Sequence, residues 1–187
     1  PSDLANQYSL GGYYTGLAGW EFSIEGYYKQ MRHILEYQDG VSFFGTSTNW
    51  EEKVEMGEGR SFGLEMMVQK TLGKTTGWLA YTLAKTDHRF KDGAISQGKW
   101  FPYKYDRRHT ISLCLNHKFS ERIDVGASWI FNTGGCITVP ERETIIIRPE
   151  GNIESAPYIS RRNNYRLPAS HRLNLGINFN KKTKHGM

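Results

Sequence analysis

The chain has 187 residues, which is long enough for one domain with a sizeable core, and 23% of them are charged. The mean hydropathy is -0.60, and no apolar run reaches about 18 residues, so the sequence excludes a membrane-spanning helix. The formal net charge is +5, but the lysines and arginines are scattered along the chain, which argues against a nucleic-acid-binding protein.

Apolar and polar residues alternate in several segments, which is the period of a β-strand with one face of each kind. Between residues 123 and 132, for example, every odd-numbered residue is apolar. The pattern predicts seven strands, which in chain order cover residues 8–15, 20–37, 60–71, 77–90, 110–116, 123–132 and 169–180. The run Ile145-Ile146-Ile147 predicts a short additional strand.

The segments between the predicted strands alternate in length. Short turns are predicted at 16–19, 73–76 and 119–122, and long polar loops at 38–59, 91–106 and 134–167. Aromatic residues stand beside the short turns, as in an interfacial girdle: Trp20, Trp78, Phe119 and Phe179. Transmembrane β-barrels of the outer-membrane type have this layout. The sequence therefore predicts an all-β antiparallel meander of about seven strands. This meander would be part of a barrel wall, with short periplasmic turns and long extracellular loops.

About seven strands would leave two open sheet edges, and unpaired backbone groups in lipid cost several kcal/mol each. Bacterial single-chain barrels have an even number of strands, at least about 8. Residues 181–184 resemble a further short turn, which predicts another strand. We therefore expect residues 1–187 to be a fragment of one larger barrel domain. A small barrel that lacks one strand is the alternative.

Four stretches of the chain carry a family resemblance. They are GRSFGLE at 59–65, GWLAYTLAKT at 77–86, FPYKYDRRH at 101–109 and YRLPASHRLN at 165–174. In their order and spacing they resemble the C-terminal part of the barrel of a TonB-dependent outer-membrane receptor. The resemblance covers nearly the whole chain from Tyr8 onward.

The resemblance implies a barrel of about 22 strands with a plugged lumen, in the outer membrane of a Gram-negative bacterium. It implies uptake of a scarce nutrient, namely an iron chelate, a vitamin, an oligosaccharide or a peptide. The implied partners are outer-membrane lipid, the rest of the barrel with its plug, and TonB, ExbB and ExbD, which would act through the plug. We therefore expect a receptor rather than an enzyme, with no cofactor.

Two other functional classes remain open. One is a small outer-membrane barrel enzyme or adhesin, with Asp87, His88 and His109 near the rim. No serine or cysteine nucleophile accompanies Asp87-His88, so we predict no catalytic residue. The other is a soluble β-sandwich binding module.

In Asp106-Arg107-Arg108-His109 we predict an ion-pair cluster at a strand start, with Asp106 paired to an arginine of a neighbouring strand. Ligand binding is the alternative.

Aromatic residues on or beside the long loops are the candidate ligand-binding residues: Trp50, Trp100, Phe101, Tyr103 and Tyr105. Loops on a rigid scaffold present such rings to sugars and aromatic chelators. We expect the segment 100–105 to contribute to a ligand vestibule, and loop anchoring at the membrane rim is the alternative.

The histidines lack metal-ligand spacing, so no metal site is predicted. Pairing of Cys114 with Cys136 cannot be decided from their spacing.

Overall fold

The structure, a computed structural model, describes residues 4–38, 50–93, 95–147 and 153–181. In chain order its strands are β1 (Leu4–Tyr14), β2 (Trp20–Tyr37), β3 (Val54–Lys70), β4 (Thr75–Arg89), β5 (Phe101–Pro102), β6 (His109–Lys118), β7 (Ile123–Asn132), β8 (Cys136–Ile137), β9 (Arg142–Ile147), β10 (Ile153–Tyr158), β11 (Tyr165–Arg166) and β12 (Ser170–Phe179). Short 3-10 turns occupy Trp50–Lys53 and Ser96–Gly98. Within these ranges no helix has the length and apolar character needed to cross a bilayer.

Eight of the strands form one antiparallel sheet, in which seven long strands lie side by side. Its order is β1-β2-β3-β4-β6-β7-β12, so each long strand pairs with the long strands before and after it. The two-residue strand β5 adds to the upper part of β4, and the pairs β8–β11 and β9–β10 form separate two-stranded ladders. The predicted all-β antiparallel meander of about seven strands is confirmed.

The largest difference from the predicted strand ends is at the start of β3, where the sequence is rich in charge and glycine. β2 and β7 have the predicted bounds, but β3 begins at Val54 rather than at residue 60, so the predicted loop 38–59 is too long. The extension arises because β3 stays paired with β2 beyond a bulge at His33, whose φ is 61°. The isoleucine run near residue 146 belongs to β9, which pairs with β10.

Connections between the long strands are sorted by length. The chain crosses between neighbours through residues 15–19, 71–74 and 119–122 at one end, and through 38–53, 90–108 and 133–169 at the other. Two of the short turns contain glycines in the left-handed region, Gly19 with φ 76° and Gly73 with φ 97°. We call the second end of the sheet the long-connection end.

One face of the sheet is apolar across all seven strands. The strand register aligns one row of it as Tyr14, Phe22, Val68, Leu79, Leu113, Trp129 and Leu173. We call this surface the apolar face. The opposite surface, the polar face, carries the row Gly11, Glu25, Glu65, Thr82, Thr110, Asn132 and Ser170. Large side chains on the apolar face remain exposed, for example Leu10 at 85%, Leu175 at 72% and Phe179 at 78%.

Among the described residues, buried apolar side chains are few and gather at the long-connection end. Phe90, Ile95 and Phe101 form a cluster against which Ile34 packs. The cluster lies on the polar face, because the ring of Phe90 lies over Gly57, which shares a face with Glu65 by strand alternation. The core therefore sits under the long connections and not between two sheets.

Candidate functional site

Small residues of β3 make room for rings on the polar face. Between residues 57 and 63 the odd positions are Gly, Gly, Ser and Gly, and they all point to that face. A Cβ at Gly57 would lie 2.5 Å from the ring of Phe90, and one at Gly59 would lie 3.2 Å from His88. The glycine pattern thus belongs to the packing of aromatic groups above β3.

An aromatic group stands on the polar face at the long-connection end. The rings of His88 and Tyr103 stack with centroids 4.5 Å apart, and Tyr103 meets Tyr105 edge-on at 5.4 Å. Lys104 places its Nζ atom 5.0 Å from the centre of the Tyr105 ring. The Tyr105 side chain is 66% exposed, so this group has an open end. We call these residues, His88, Tyr103, Lys104 and Tyr105, the aromatic group.

The segment predicted as one vestibule is divided by the pairing of β5 with β4. Phe101 is only 2% exposed and belongs to the buried cluster. Trp100 lies on the apolar-face side, with its ring centre 4.3 Å from the Arg60 guanidinium carbon and 4.8 Å from that of Arg89. The geometry therefore brings Tyr103 and Tyr105 together and sets Trp100 apart.

The remaining candidate, Trp50, begins the 3-10 turn Trp50–Lys53, and its side chain lies outside the described residues. Ligand contact stays a prediction for all five aromatic residues. Sequence reasoning missed His88 as a stacking partner, because its ring position depends on where β5 pairs. It also missed Lys104, whose only sequence signal is its place between two tyrosines.

A buried ion-pair cluster joins two of the long connections to β4. Asp106 is 3% exposed, and its Oδ1 accepts the Thr86 backbone N–H at 2.7 Å. Its Oδ2 accepts from the guanidinium of Arg166 and lies 3.4 Å from that of Arg108. Arg166 also donates to the Gly134 carbonyl at 2.8 Å. The prediction that Asp106 forms an ion pair with an arginine is confirmed, but Arg166 belongs to β11, which pairs with β8 in a separate ladder and is not a neighbouring strand of the main sheet.

The two longest connections also contact each other directly. The backbone N–H of Arg162 donates to Ser96 Oγ at 2.8 Å, and the Asn163 side-chain amide donates to the Pro102 carbonyl at 2.8 Å. Residues from segments far apart in sequence therefore form one cap over the polar face at this end.

The enzyme alternative depended on Asp87 and His88, which lie on opposite faces of β4. Asp87 pairs with Arg60 and Lys85 at 3.2 Å each, on the apolar-face side. His88 stacks on Tyr103, on the polar face. Because neighbouring residues of a strand point in opposite directions, the two do not form a carboxylate–imidazole pair.

The third residue proposed for that alternative, His109, has its Nδ1 atom 2.8 Å from the Tyr81 hydroxyl oxygen. It therefore lies apart from both Asp87 and His88. In the described ranges no group of three or more His, Cys, Asp or Glu side chains is placed to hold a metal ion.

Both cysteines are free. Cys114 lies on β6, and Cys136 is buried at the start of β8, where its N–H donates to the Lys104 carbonyl at 2.9 Å. Burial raises the pKa of the Cys136 thiol, so its reactive thiolate form is scarce at neutral pH. The possible disulfide is therefore not formed in this structure.

Comparisons with protein-family models, with curated proteins and with solved structures give no match. The resemblance to TonB-dependent receptors consequently stays an expectation drawn from the four sequence stretches. The geometry of the two sheet faces and of the aromatic group is the basis for assigning a function.

Proposed function

We propose that this chain is part of the barrel wall of an outer-membrane receptor for TonB-energised uptake of a scarce nutrient. The observation that carries the proposal is the apolar face, which is continuous across seven strands and uncovered in the described part of the chain. Soluble monomers rarely expose contiguous apolar patches larger than about a few hundred Å². In a bilayer the face would contact hydrocarbon, which avoids the free-energy cost of exposing apolar side chains to water.

The height of the apolar face suits a bilayer. β7 has 10 residues, with apolar side chains on this face from Ile123 to Phe131. A transmembrane β-strand tilted by about 45° needs about 9–11 residues to cross the hydrocarbon core. In a barrel of such strands the polar face lines the interior, which agrees with a row that contains Glu25, Glu65 and Asn132.

The soluble β-sandwich alternative requires a second layer on the apolar face. Among the described residues the buried cluster lies on the other face, and no strand covers Leu10 or Leu175. A sandwich places its core between two sheets, whereas this chain leaves its most apolar surface open. The arrangement therefore favours a membrane wall over a sandwich.

The aromatic group supports the part of the proposal that concerns ligand binding. On the barrel reading it faces the interior at the extracellular end, where an incoming ligand arrives first. Stacked rings with an open end suit flat or ring-shaped ligands, and Lys104 adds a positive charge beside Tyr105. Iron chelates and oligosaccharides have these properties.

The test compares uptake and binding by the protein in its native membrane. Radiolabelled ferric hydroxamate and catecholate chelates, cobalamin, maltooligosaccharides and short peptides are offered to cells with and without TonB. We expect uptake of one class that depends on both the protein and TonB. Absence of the protein from the outer-membrane fraction would contradict the proposal.

For the transported ligand, we expect Tyr103→Ala with Tyr105→Ala to weaken binding about tenfold, because stacked aromatic contacts are worth ~0.5–1.5 kcal/mol each. Trp100→Ala is the matched control, since it removes an aromatic ring from the same segment on the other side of the sheet. Equal losses in the double variant and in the control would show that the aromatic group is not the binding surface.

A further inference from the structure

A groove crosses the apolar face over Gly26. It has a volume of about 630 Å³ and lies between two register rows of β1 to β4. Its apolar lining is Tyr8, Leu10, Tyr28, Phe62, Leu64 and Leu83. The groove exists because Gly26 has no side chain between Leu10 and Leu64, its register neighbours. A Cβ there would meet nothing closer than the Gly63 carbonyl oxygen at 4.0 Å.

Positive charge borders this groove on the side toward the long-connection end. Lys85 lines the groove itself, in the same row as Phe62. Beyond it on the same face stand further basic residues, which are Arg32, Arg60, Arg89 and Lys91. The acidic residues among them are Glu58, Asp87 and Asp92, so positive charge exceeds negative charge.

The acidic residues hold the cations in place without neutralising them. Asp87 is shared by Arg60 and Lys85, and Glu58 is shared by Arg89 and Lys91. The Trp100 ring lies against the guanidinium groups of Arg60 and Arg89 and limits their movement. Guanidinium and ammonium groups gathered in this way suit the oxygens of a phosphate group.

We propose that this surface binds a phosphate-bearing lipid, with an acyl chain in the groove over Gly26 and the phosphate at Lys85 and Arg60. The inference rests on the proposed function, because it places the apolar face in a membrane. Charge complementarity selects an anionic lipid over a zwitterionic one, and the apolar groove selects a lipid over free phosphate. Along the groove, apolar side chains are followed by the cations, in the same order as the acyl chain and the headgroup of a lipid.

The test titrates the detergent-purified full-length protein with dioleoyl phosphatidylglycerol, dioleoyl phosphatidylcholine or inorganic phosphate and counts bound molecules by native mass spectrometry. We expect phosphatidylglycerol to bind in preference to phosphatidylcholine, and inorganic phosphate neither to bind nor to displace it. Gly26→Leu fills the groove and should weaken phosphatidylglycerol binding about tenfold, through lost contact with one or two acyl methylenes. Lys85→Gln with Arg60→Gln should weaken it roughly 30-fold, through two lost cations at a membrane surface.

Matched controls separate the site from general effects. Gly12→Leu adds the same side chain to the same face, where a Cβ meets only an Ile24 methyl at 3.9 Å, and it should leave binding unchanged. Lys70→Gln removes a cation at the opposite end of the apolar face and should do the same. Equal binding by the Gly26→Leu and Gly12→Leu variants would overturn the proposal. Equal binding of the two lipids, or displacement by inorganic phosphate, would also overturn it.

The failure of this inference can be told from the failure of the proposed function. A protein that purifies without detergent and is absent from the outer-membrane fraction would refute both. A protein that fractionates with the outer membrane but binds phosphatidylglycerol equally well in all variants would refute the lipid site alone.

Discussion

Replacing Asp106 with Asn should loosen the cap over the polar face while leaving the sheet intact. Asp106 Oδ1 accepts the Thr86 N–H at 2.7 Å, and an Asn side chain can preserve that bond. Oδ2, which pairs with Arg166 and Arg108, becomes an NH₂ group that faces two guanidinium donors. The ion pair is lost, and the new NH₂ group then faces two guanidinium groups that, like it, can only donate hydrogen bonds.

The expected cost is about 2 kcal/mol. A hydrogen bond to a charged group is worth ~1.5–3 kcal/mol, and a buried carboxylate is at the upper part of that range. The partners Arg166 and Arg108 are 31% and 35% exposed, so water replaces part of the lost interaction. An opening free energy lowered by about 2 kcal/mol corresponds to a roughly 30-fold larger open population.

Hydrogen exchange measures this opening. The N–H of Cys136 donates to the Lys104 carbonyl, and the N–H of Leu167 donates to the Gly135 carbonyl, and both bonds belong to the cap. In the detergent-solubilised protein we expect these two amides to exchange roughly 30-fold faster in the Asp106→Asn variant.

The control is Asp124→Asn, which changes a carboxylate at the other end of the sheet. Asp124 accepts from the side-chain amides of Asn178 and Asn180 at 2.7 Å each, and its partners are exposed. Its replacement should leave exchange at Cys136 and Leu167 unchanged. If both variants accelerate exchange in the cap equally, the buried ion pair is not what holds the cap.

Three further variants or reactions test other parts of the structure. Iodoacetamide at pH 8 should alkylate Cys136 more than about tenfold slower in the folded protein than in urea, because burial raises its thiol pKa; equal rates would contradict the buried placement. Gly57→Ala should destabilise the cap by about 1–3 kcal/mol in denaturant melts, because a Cβ would lie 2.5 Å from the Phe90 ring. Leu175→Arg on the apolar face should destabilise the protein refolded into bilayers by about 2–4 kcal/mol, and Gly176→Arg on the polar face by far less; equal costs would argue against a bilayer on the apolar face.

The fold could be predicted from sequence to the extent that it depends on local alternation. β7 alternates at every position except Ile130, and its bounds agree with the prediction. The start of β3 was not, because Glu55, Gly57 and Gly59 have low strand propensity. Their extended conformation is fixed by pairing with β2 past the bulge at His33, which is a long-range property.

The candidate site was less predictable, because it depends on which strands meet. The segment 100–105 reads as one aromatic run, but pairing of β5 with β4 sends Trp100 and Tyr103 to different sides of the sheet. The Asp106 cluster could be predicted as an ion pair from its charged residues together with the family resemblance of the segment 101–109. Its partner Arg166 could not be identified, because the two residues meet only through the cap.

The bulge at His33 has a consequence for how deep the sheet can sit in a bilayer. Below it, β2 presents Ile24 and Tyr28 on the apolar face, but one extra residue turns Ile34 toward the buried cluster on the opposite face. The register row just below the bulge, Arg32, Glu58 and Arg89, carries charge on the apolar face, while Ile34 just above the bulge adds an apolar side chain to the other face. In the proposed bilayer, hydrocarbon contact would end at this charged row. The row would therefore fix the depth at which the sheet sits.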